Sequence, residues 1–211
     1  MKPYWVKTGS IIKKLFRGFV WDIKNIDRKI YLTFDDGPIP EVTEWVLDIL
    51  NQHDIKATFF CIGHNIAANP DIFKQIIAAG HAIGNHTYSH VNGWNTNNQE
   101  YYENYAACRN TINAYYRKGT KLFRPPYGKI KRAQAKKLRQ EGNKLIMWDV
   151  LSADFDQAIT PEQCLKNVIN NTRSGSIIIF HDSIKASGNL KYALHKAIAN
   201  LKQQGFIFDT L

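Results

Sequence analysis

Two neighbouring carboxylates close an apolar run and meet a chain break at once. The stretch reads Thr33-Phe34-Asp35-Asp36-Gly37-Pro38, behind Ile30-Tyr31-Leu32. Acids at the end of a β-type run, followed by a turn, are how an α/β enzyme places chemistry at the carboxyl end of a strand. The plain alternative is an Asp-Asp-Gly turn whose carboxylates only satisfy backbone N–H groups. A second cluster weighs against it. His86 and His90 stand four apart in His86-Thr87-Tyr88-Ser89-His90. On a helical turn that spacing puts both imidazoles on one side, close enough to hold one metal ion. Alone they read as surface histidines. With a carboxylate from another strand end they make a three-ligand site with an open position, which is what metal-assisted hydrolysis requires. With Asp36 on the metal, Asp35 is free to take a proton from an attacking water. His181, at a distant strand end, is placed to protonate a leaving group. Neighbours on an extended strand face opposite ways, so the turn at Gly37 has to bring both acids to one side.

Something must carry these residues together. From residue 29 onward strand-like and helix-like segments alternate. Strands are predicted at 30–34, 57–61, 81–84, 122–123, 145–150, 176–180 and 206–208. Between them lie helical stripes: Val42, Trp45, Val46, Ile49 and Leu50; then Ile72, Phe73, Ile76 and Ile77; then Tyr101, Tyr105, Cys108, Ile112 and Tyr115, which makes Cys108 a core thiol. A basic helix at 130–141 follows, Thr160-Pro161 opens another, and Leu190, Ala193, Leu194, Ala197 and Leu201 line the last. About seven alternations in a single domain predict an α/β fold, either a parallel barrel or an open doubly wound sheet. In a barrel the strand ends share one face, so Asp35, Asp36, His86, His90, Arg124, Asp149, Asp154 and His181 would converge there. No G-x-G-x-x-G or P-loop pattern supports nucleotide binding.

The chain has 211 residues, 44% hydrophobic and 22% charged, ordinary for one soluble domain. A net charge of +10 favours anionic partners. Much of it lies in Lys129, Lys131, Arg132, Lys136, Lys137 and Arg139, read as the solvated face of one helix. With no zinc-finger spacing and no RNP-like pattern, nucleic acid is not expected. Three cysteines without a C-x-x-C pair argue against a disulfide framework. Residues 1–28 form a basic amphipathic segment ahead of a catalytic domain at 29–211. In that segment Ile11, Ile12, Leu15, Phe16 and Phe19 recur at helical spacing among Lys13, Lys14 and Arg17. A helix packed on the domain is favoured over a membrane-surface helix. No run suits a signal peptide or a bilayer span, so a cytoplasmic or membrane-surface location is expected.

Four blocks in order, TFDDGP at Thr33–Pro38, HTYSH at His86–His90, RPPY at Arg124–Tyr127 and an apolar run ending in His181, resemble the polysaccharide deacetylase (NodB-homology) family, carbohydrate esterase family 4. The resemblance spans about residues 29–208. It implies a distorted parallel (β/α) barrel. The implied activity is hydrolysis of acetyl groups from N-acetylated sugar polymers such as peptidoglycan or chitooligosaccharide, with a divalent metal, zinc in the first place and cobalt or nickel as alternatives. It implies Asp35 as general base, Asp36, His86 and His90 as metal ligands, and Arg124 as the group orienting the base. Tyr127 would lend a backbone N–H to the oxyanion, and His181 would be the acid. No obligate protein partner is implied. One block departs. Where the family has Asp-x-x-Asp-Trp, this chain reads Leu151-Ser152-Ala153-Asp154-Phe155. Leu151 replaces the acid that would tune His181, leaving Asp154 and Asp149 as candidates. Trp148, with Trp94, Tyr127 and Phe155, lines either a sugar cleft or the core. The other readings are an O-acetyl esterase and a catalytically weak carbohydrate-binding relative.

Overall fold

The computed structural model describes residues 4–211. Its frame is a parallel sheet of β1 (Lys29–Asp36), β2 (Thr58–Cys61), β3 (Ala82–Asn85), β4 (Leu122–Phe123), β5 (Lys144–Leu145), β6 (Val150–Leu151), β7 (Ile177–His181) and β8 (Ile207–Asp209). The order is β5-β4-β3-β2-β1-β7-β6, with β8 also on β1. The sheet curls into a half-barrel, which decides between the two architectures that periodicity left open. Around it lie α1 (Ser10–Leu15), α2 (Val42–Gln52), α3 (Gly63–Ala68), α4 (Pro70–Ala78), α5 (Asn98–Tyr115), α6 (Arg132–Gln140), α7 (Pro161–Ile169) and α8 (Ser187–Gln203).

β1 is the axis of the fold. One edge pairs with β7 across Tyr31–Asp35; the other is shared by β8 at Lys29–Tyr31 and β2 at Thr33–Asp36. A strand covered on both faces must be apolar throughout, and Ile30 to Phe34 are buried accordingly. Phe34 stacks on Phe59 of β2 and Phe180 of β7, at 5.0 and 6.3 Å between ring centres. The register then aligns the strand ends: Asp35 opposite His181, Asp36 opposite Cys61, Cys61 opposite Asn85 and Asn85 opposite Phe123. His86 and Arg124 therefore leave their strands at one level.

The predicted strand at 145–150 takes a different form. Its two ends are separate short strands, β5 pairing with β4 and β6 with β7. One stretch thus crosses from one open edge of the sheet to the other. The N-terminal segment stitches both edges: Val20 bonds to Leu145 and Met147, while Val6 and Thr8 bond to Leu151 and Asp149. Lys7 and Lys13 form ion pairs with the buried Asp149. The expected packing of the apolar stripe does not occur, because backbone bonds and lysines fasten the segment instead. No residue of α1 is buried, and Ile11, Leu15 and Phe16 are exposed; only Phe19, beyond the helix, packs beside Tyr101 and Phe123. Cys61, Cys108 and Cys164 are buried free thiols, in keeping with the absence of a disulfide framework.

Candidate active site

Arg124 is the largest fully buried side chain, and a guanidinium out of water demands partners. It lies 2.6 Å from Asp35 Oδ1, donates to Thr33 Oγ1 at 2.8 Å and to the Met147 carbonyl at 3.0 Å, and sits 4.1 Å over the Phe60 ring. One Asp35 oxygen is therefore fixed by charge and hydrogen bonding. The other, Oδ2, faces the metal-ligand candidates, 3.6 Å from His86 Nε2.

Asp36 turns to the same side, but not by the device expected. The twist falls on Asp36 itself, at φ 91°, whereas Gly37 is outside the positive-φ region. Gly37 serves a close approach: a Cβ there would lie 1.9 Å from Asp182 Oδ2. Asp36 Oδ1 consequently lies 3.4 Å from His90 Nε2 and 3.9 Å from His86 Nε2, buried and without a hydrogen-bond partner.

The two histidines meet without a helix. Residues 86–90 are a loop with Thr87 at φ 64° and His90 at φ 54°, so the helical-turn expectation gives way to two left-handed residues. Side chains hold this shape: Asn104 Oδ1 accepts the N–H groups of Tyr88 and Ser89, and Asn85 Oδ1 accepts that of Thr87. His86 Nδ1 donates to the Arg124 carbonyl at 2.7 Å, which leaves Nε2 as the free lone pair. His90 Nδ1 lies 3.1 Å from the Tyr127 hydroxyl. Burial pushes His86 well below and His90 below the usual histidine range, so both rings favour the neutral form that a ligand needs. One ligand atom from each of Asp36, His86 and His90 lies within 4.8 Å of the others. A buried carboxylate oxygen with no donor, facing two neutral imidazole nitrogens, fits a divalent cation, and the N,N,O set suits zinc, cobalt or nickel.

His181 closes the opposite side. Asp154 Oδ1 lies 2.7 Å from its Nδ1, and Asp154 Oδ2 accepts its backbone N–H at 2.7 Å. Burial disfavours the imidazolium, but the Asp154 carboxylate, with Asp36 and Asp35 beyond it, prevails and pushes His181 up to about 9. Asp154 is itself steadied by the Ser152 hydroxyl at 3.0 Å, and Phe155 meets the His181 ring edge-on. Asp149 has no part in this, which corrects the expectation for it. It is level with Ile177 at the start of β7, four residues before His181, or about 13 Å along a strand. Its partners there are Lys7, Lys13 and Ser176.

Tyr127 sits at φ 59° in a 3-10 turn over Pro126–Gly128. Its exposed ring lies 4.5 Å from that of His90, so the side chain touches a ligand candidate as well as the backbone position. Trp148 is half-buried against the core, and its ring leaves Gly128 no room for a Cβ. Trp94 is exposed, its indole N–H bonded to the Ile130 carbonyl. Sequence reasoning passed over Thr33, Asn104 and Asp182. Thr33 was visible within its block, Asp182 stands beside His181, and nothing in the sequence marks Asn104. Burial pushes the Asp182 carboxyl up to about 8, against the opposing pull of hydrogen bonds from Thr43 and Gly37.

The polysaccharide deacetylase family model matches residues 22–146. The chain belongs to the polysaccharide deacetylase family. Two peptidoglycan-N-acetylglucosamine deacetylases of Bacillus cereus are 38% and 36% identical to this deacetylase; the matches cover 87% and 92% of the chain, and 66% and 92% of the relatives' own lengths. A peptidoglycan N-acetylglucosamine deacetylase crystallised with 4-naphthalen-1-yl-N-oxidanyl-benzamide superposes with a TM-score of 0.89 at 34% identity, covering 97% of this chain and 95% of that one. A CE4-family pseudoenzyme from Bacillus anthracis superposes at 0.81 with 26% identity, covering 91% and 66%.

Proposed function

We propose that this polysaccharide deacetylase hydrolyses the acetamide of an N-acetylglucosamine-containing glycan, with Asp35 as base, His181 as acid, and Asp36, His86 and His90 holding a divalent metal, zinc in the first place. The observation that carries the reading is the unpartnered Asp36 Oδ1, buried beside two neutral imidazole nitrogens, with base and acid on paired strands next to it. The bound ion would supply Lewis-acid polarisation of the acetyl carbonyl and a more acidic water. Arg124 occupies Asp35 Oδ1 and orients the carboxylate, so Oδ2 is the oxygen that takes the proton of the attacking water. The backbone N–H of Tyr127 is offered to the oxygen on which charge develops. His181, its Nδ1 bound to Asp154, presents Nε2–H to the departing sugar nitrogen. The proton lost by water is matched by one given to the amine, and the products are acetate and a glucosamine unit.

The names of the relatives favour the amide over the ester reading. A pseudoenzyme with this fold makes the catalytically silent reading a real competitor, against which the complete set of base, acid and ligands stands. Acetate release from N-acetylglucosamine oligomers and peptidoglycan, beside acetylxylan, separates these readings, and metal analysis of the purified chain identifies the ion. Asp35→Asn should lower turnover by at least about a hundredfold while metal content is retained; near-normal turnover with metal bound refutes the assignment.

No helix of the described residues is long and apolar enough to cross a membrane. Exposed Ile11, Leu15 and Phe16, flanked by exposed Lys14 and Arg17, support contact of this surface with an anionic membrane. Sedimentation should show retention on anionic vesicles that salt weakens; equal retention on neutral vesicles overturns this.

A further inference from the structure

We propose that Asp182 is a positioning residue for Asp36, gripping both peptide groups that flank it so that its carboxylate faces His86 and His90. This deepens the metal-site reading and rests on it. Asp182 follows the acid His181 and is fully buried. Its backbone N–H donates to the Asp35 carbonyl at 3.0 Å, which is the peptide entering Asp36. Its Oδ1 accepts the Gly37 N–H at 3.0 Å, which is the peptide leaving Asp36. Its Oδ2 accepts the Thr43 hydroxyl at 2.6 Å, so the start of α2 braces the grip from behind.

Between these two anchors Asp36 is held at φ 91°, a conformation that a non-glycine residue adopts only under outside constraint. The same constraint explains Gly37. Its φ does not require glycine, but a Cβ would lie 1.9, 2.6 and 2.9 Å from the Asp182 carboxylate atoms. Among the described residues the hydrogen bonds from other residues to this carboxylate come from one backbone N–H and one hydroxyl, with no basic side chain donating to it. Burying an acid with so little compensation is expensive, and a packing role alone would be better filled by an apolar residue. The arrangement also ties the acid's strand to the metal turn, since His181 and Asp182 are consecutive.

The test uses full-length chain stripped of metal, with zinc affinity read by chelator competition and cobalt coordination read by visible absorption. Asp182→Ala should weaken zinc binding at least tenfold and alter the cobalt spectrum, with kcat falling more than KM changes. Asp182→Asn, whose amide oxygen still accepts the Gly37 N–H, should bring the affinity back to within about threefold. Gly37→Ala should mimic Asp182→Ala, yet add little in the Asp182→Ala background, because the clash and the grip share one carboxylate. Should Asp182→Ala fail to fold, Gly37→Ala and Asp182→Asn decide between the same outcomes. Unchanged zinc affinity in folded Asp182→Ala or Gly37→Ala, with only thermal stability lowered, overturns the positioning role. Failure of the unsubstituted chain to take up zinc or cobalt overturns the metal-site reading and this proposal with it.

Discussion

Replacing Asp154 by Asn tests the acid directly, because it removes a charge and keeps the shape. In the folded chain His181 is pushed up to about 9, and the carboxylate that achieves this is 2.7 Å from Nδ1. Without it burial is opposed only by the more distant Asp36 and Asp35, and the imidazole falls back toward its ordinary value near 6.5. For an acid that must be protonated, the alkaline limb of kcat/KM should then move from about 9 toward about 6.5. At pH 8 the protonated fraction drops from about nine-tenths to about three-hundredths, a loss of about 30-fold; at pH 6 the loss from this cause is less than about twofold. Stability moves with it. A folded value above the unfolded one stabilises below the unfolded value and fades as pH rises through the folded one, so this contribution is full below about 6.5 and gone above about 9. The span is about 3 kcal/mol. The assay is acetate release from an N-acetylglucosamine oligomer across pH 5 to 10 for both proteins, with melting curves at each end. An unmoved alkaline limb, or a loss equal at every pH, refutes the role given to Asp154.

Two further substitutions probe the supports of the site. Arg124→Met leaves the Asp35 carboxylate buried without its cation and should cost about 3–5 kcal/mol in denaturant unfolding, along with most of the turnover; a loss under about 1 kcal/mol would mean that Asp35 finds another partner. Asn104→Ala removes the acceptor of the Tyr88 and Ser89 N–H groups and should cost about 1–3 kcal/mol. It should also weaken zinc binding through His90, whereas unchanged affinity would show that the loop holds its shape without that acceptor.

The frame was legible because its elements carry strong periods. The apolar runs ending in Asp35, Asn85, Phe123 and His181 are strands of a parallel sheet, and strands of such a sheet end on one face. What escaped were places where one backbone angle decides direction. The spacing of His86 and His90 suits a helical turn, yet a loop with two left-handed residues satisfies it equally, and the side chains of Asn85 and Asn104 select between them. The leucine at 151 left Asp149 as a candidate beside Asp154 for tuning His181, because the sequence does not show that Asp154 alone reaches that ring after the turn at Ala153, φ 59°. The stretch 145–150 reads as one strand by composition; that its ends join opposite edges goes with backbone bonds to Val20 and Val6, which belong to the segment placed ahead of the catalytic domain. Its apolar stripe was expected to pack, and the fastening came from Lys7 and Lys13 instead.

Asp36, Thr87, His90, Tyr127 and Ala153 share a left-handed backbone; Asp36 ends β1 and the other four stand in the loops that form the site. At about 1–3 kcal/mol for each such residue, the combined cost approaches the whole net stability of an ordinary domain. None of these loops has an independent claim to its shape. The turns at Asp36 and at residues 87–90 are imposed by the surrounding frame, through Asn85, Asn104 and Asp182, much as an arch holds its keystone under load. Catalytic competence in this chain is thus a property of the intact frame, and should be surrendered by partial loosening before the strands themselves part.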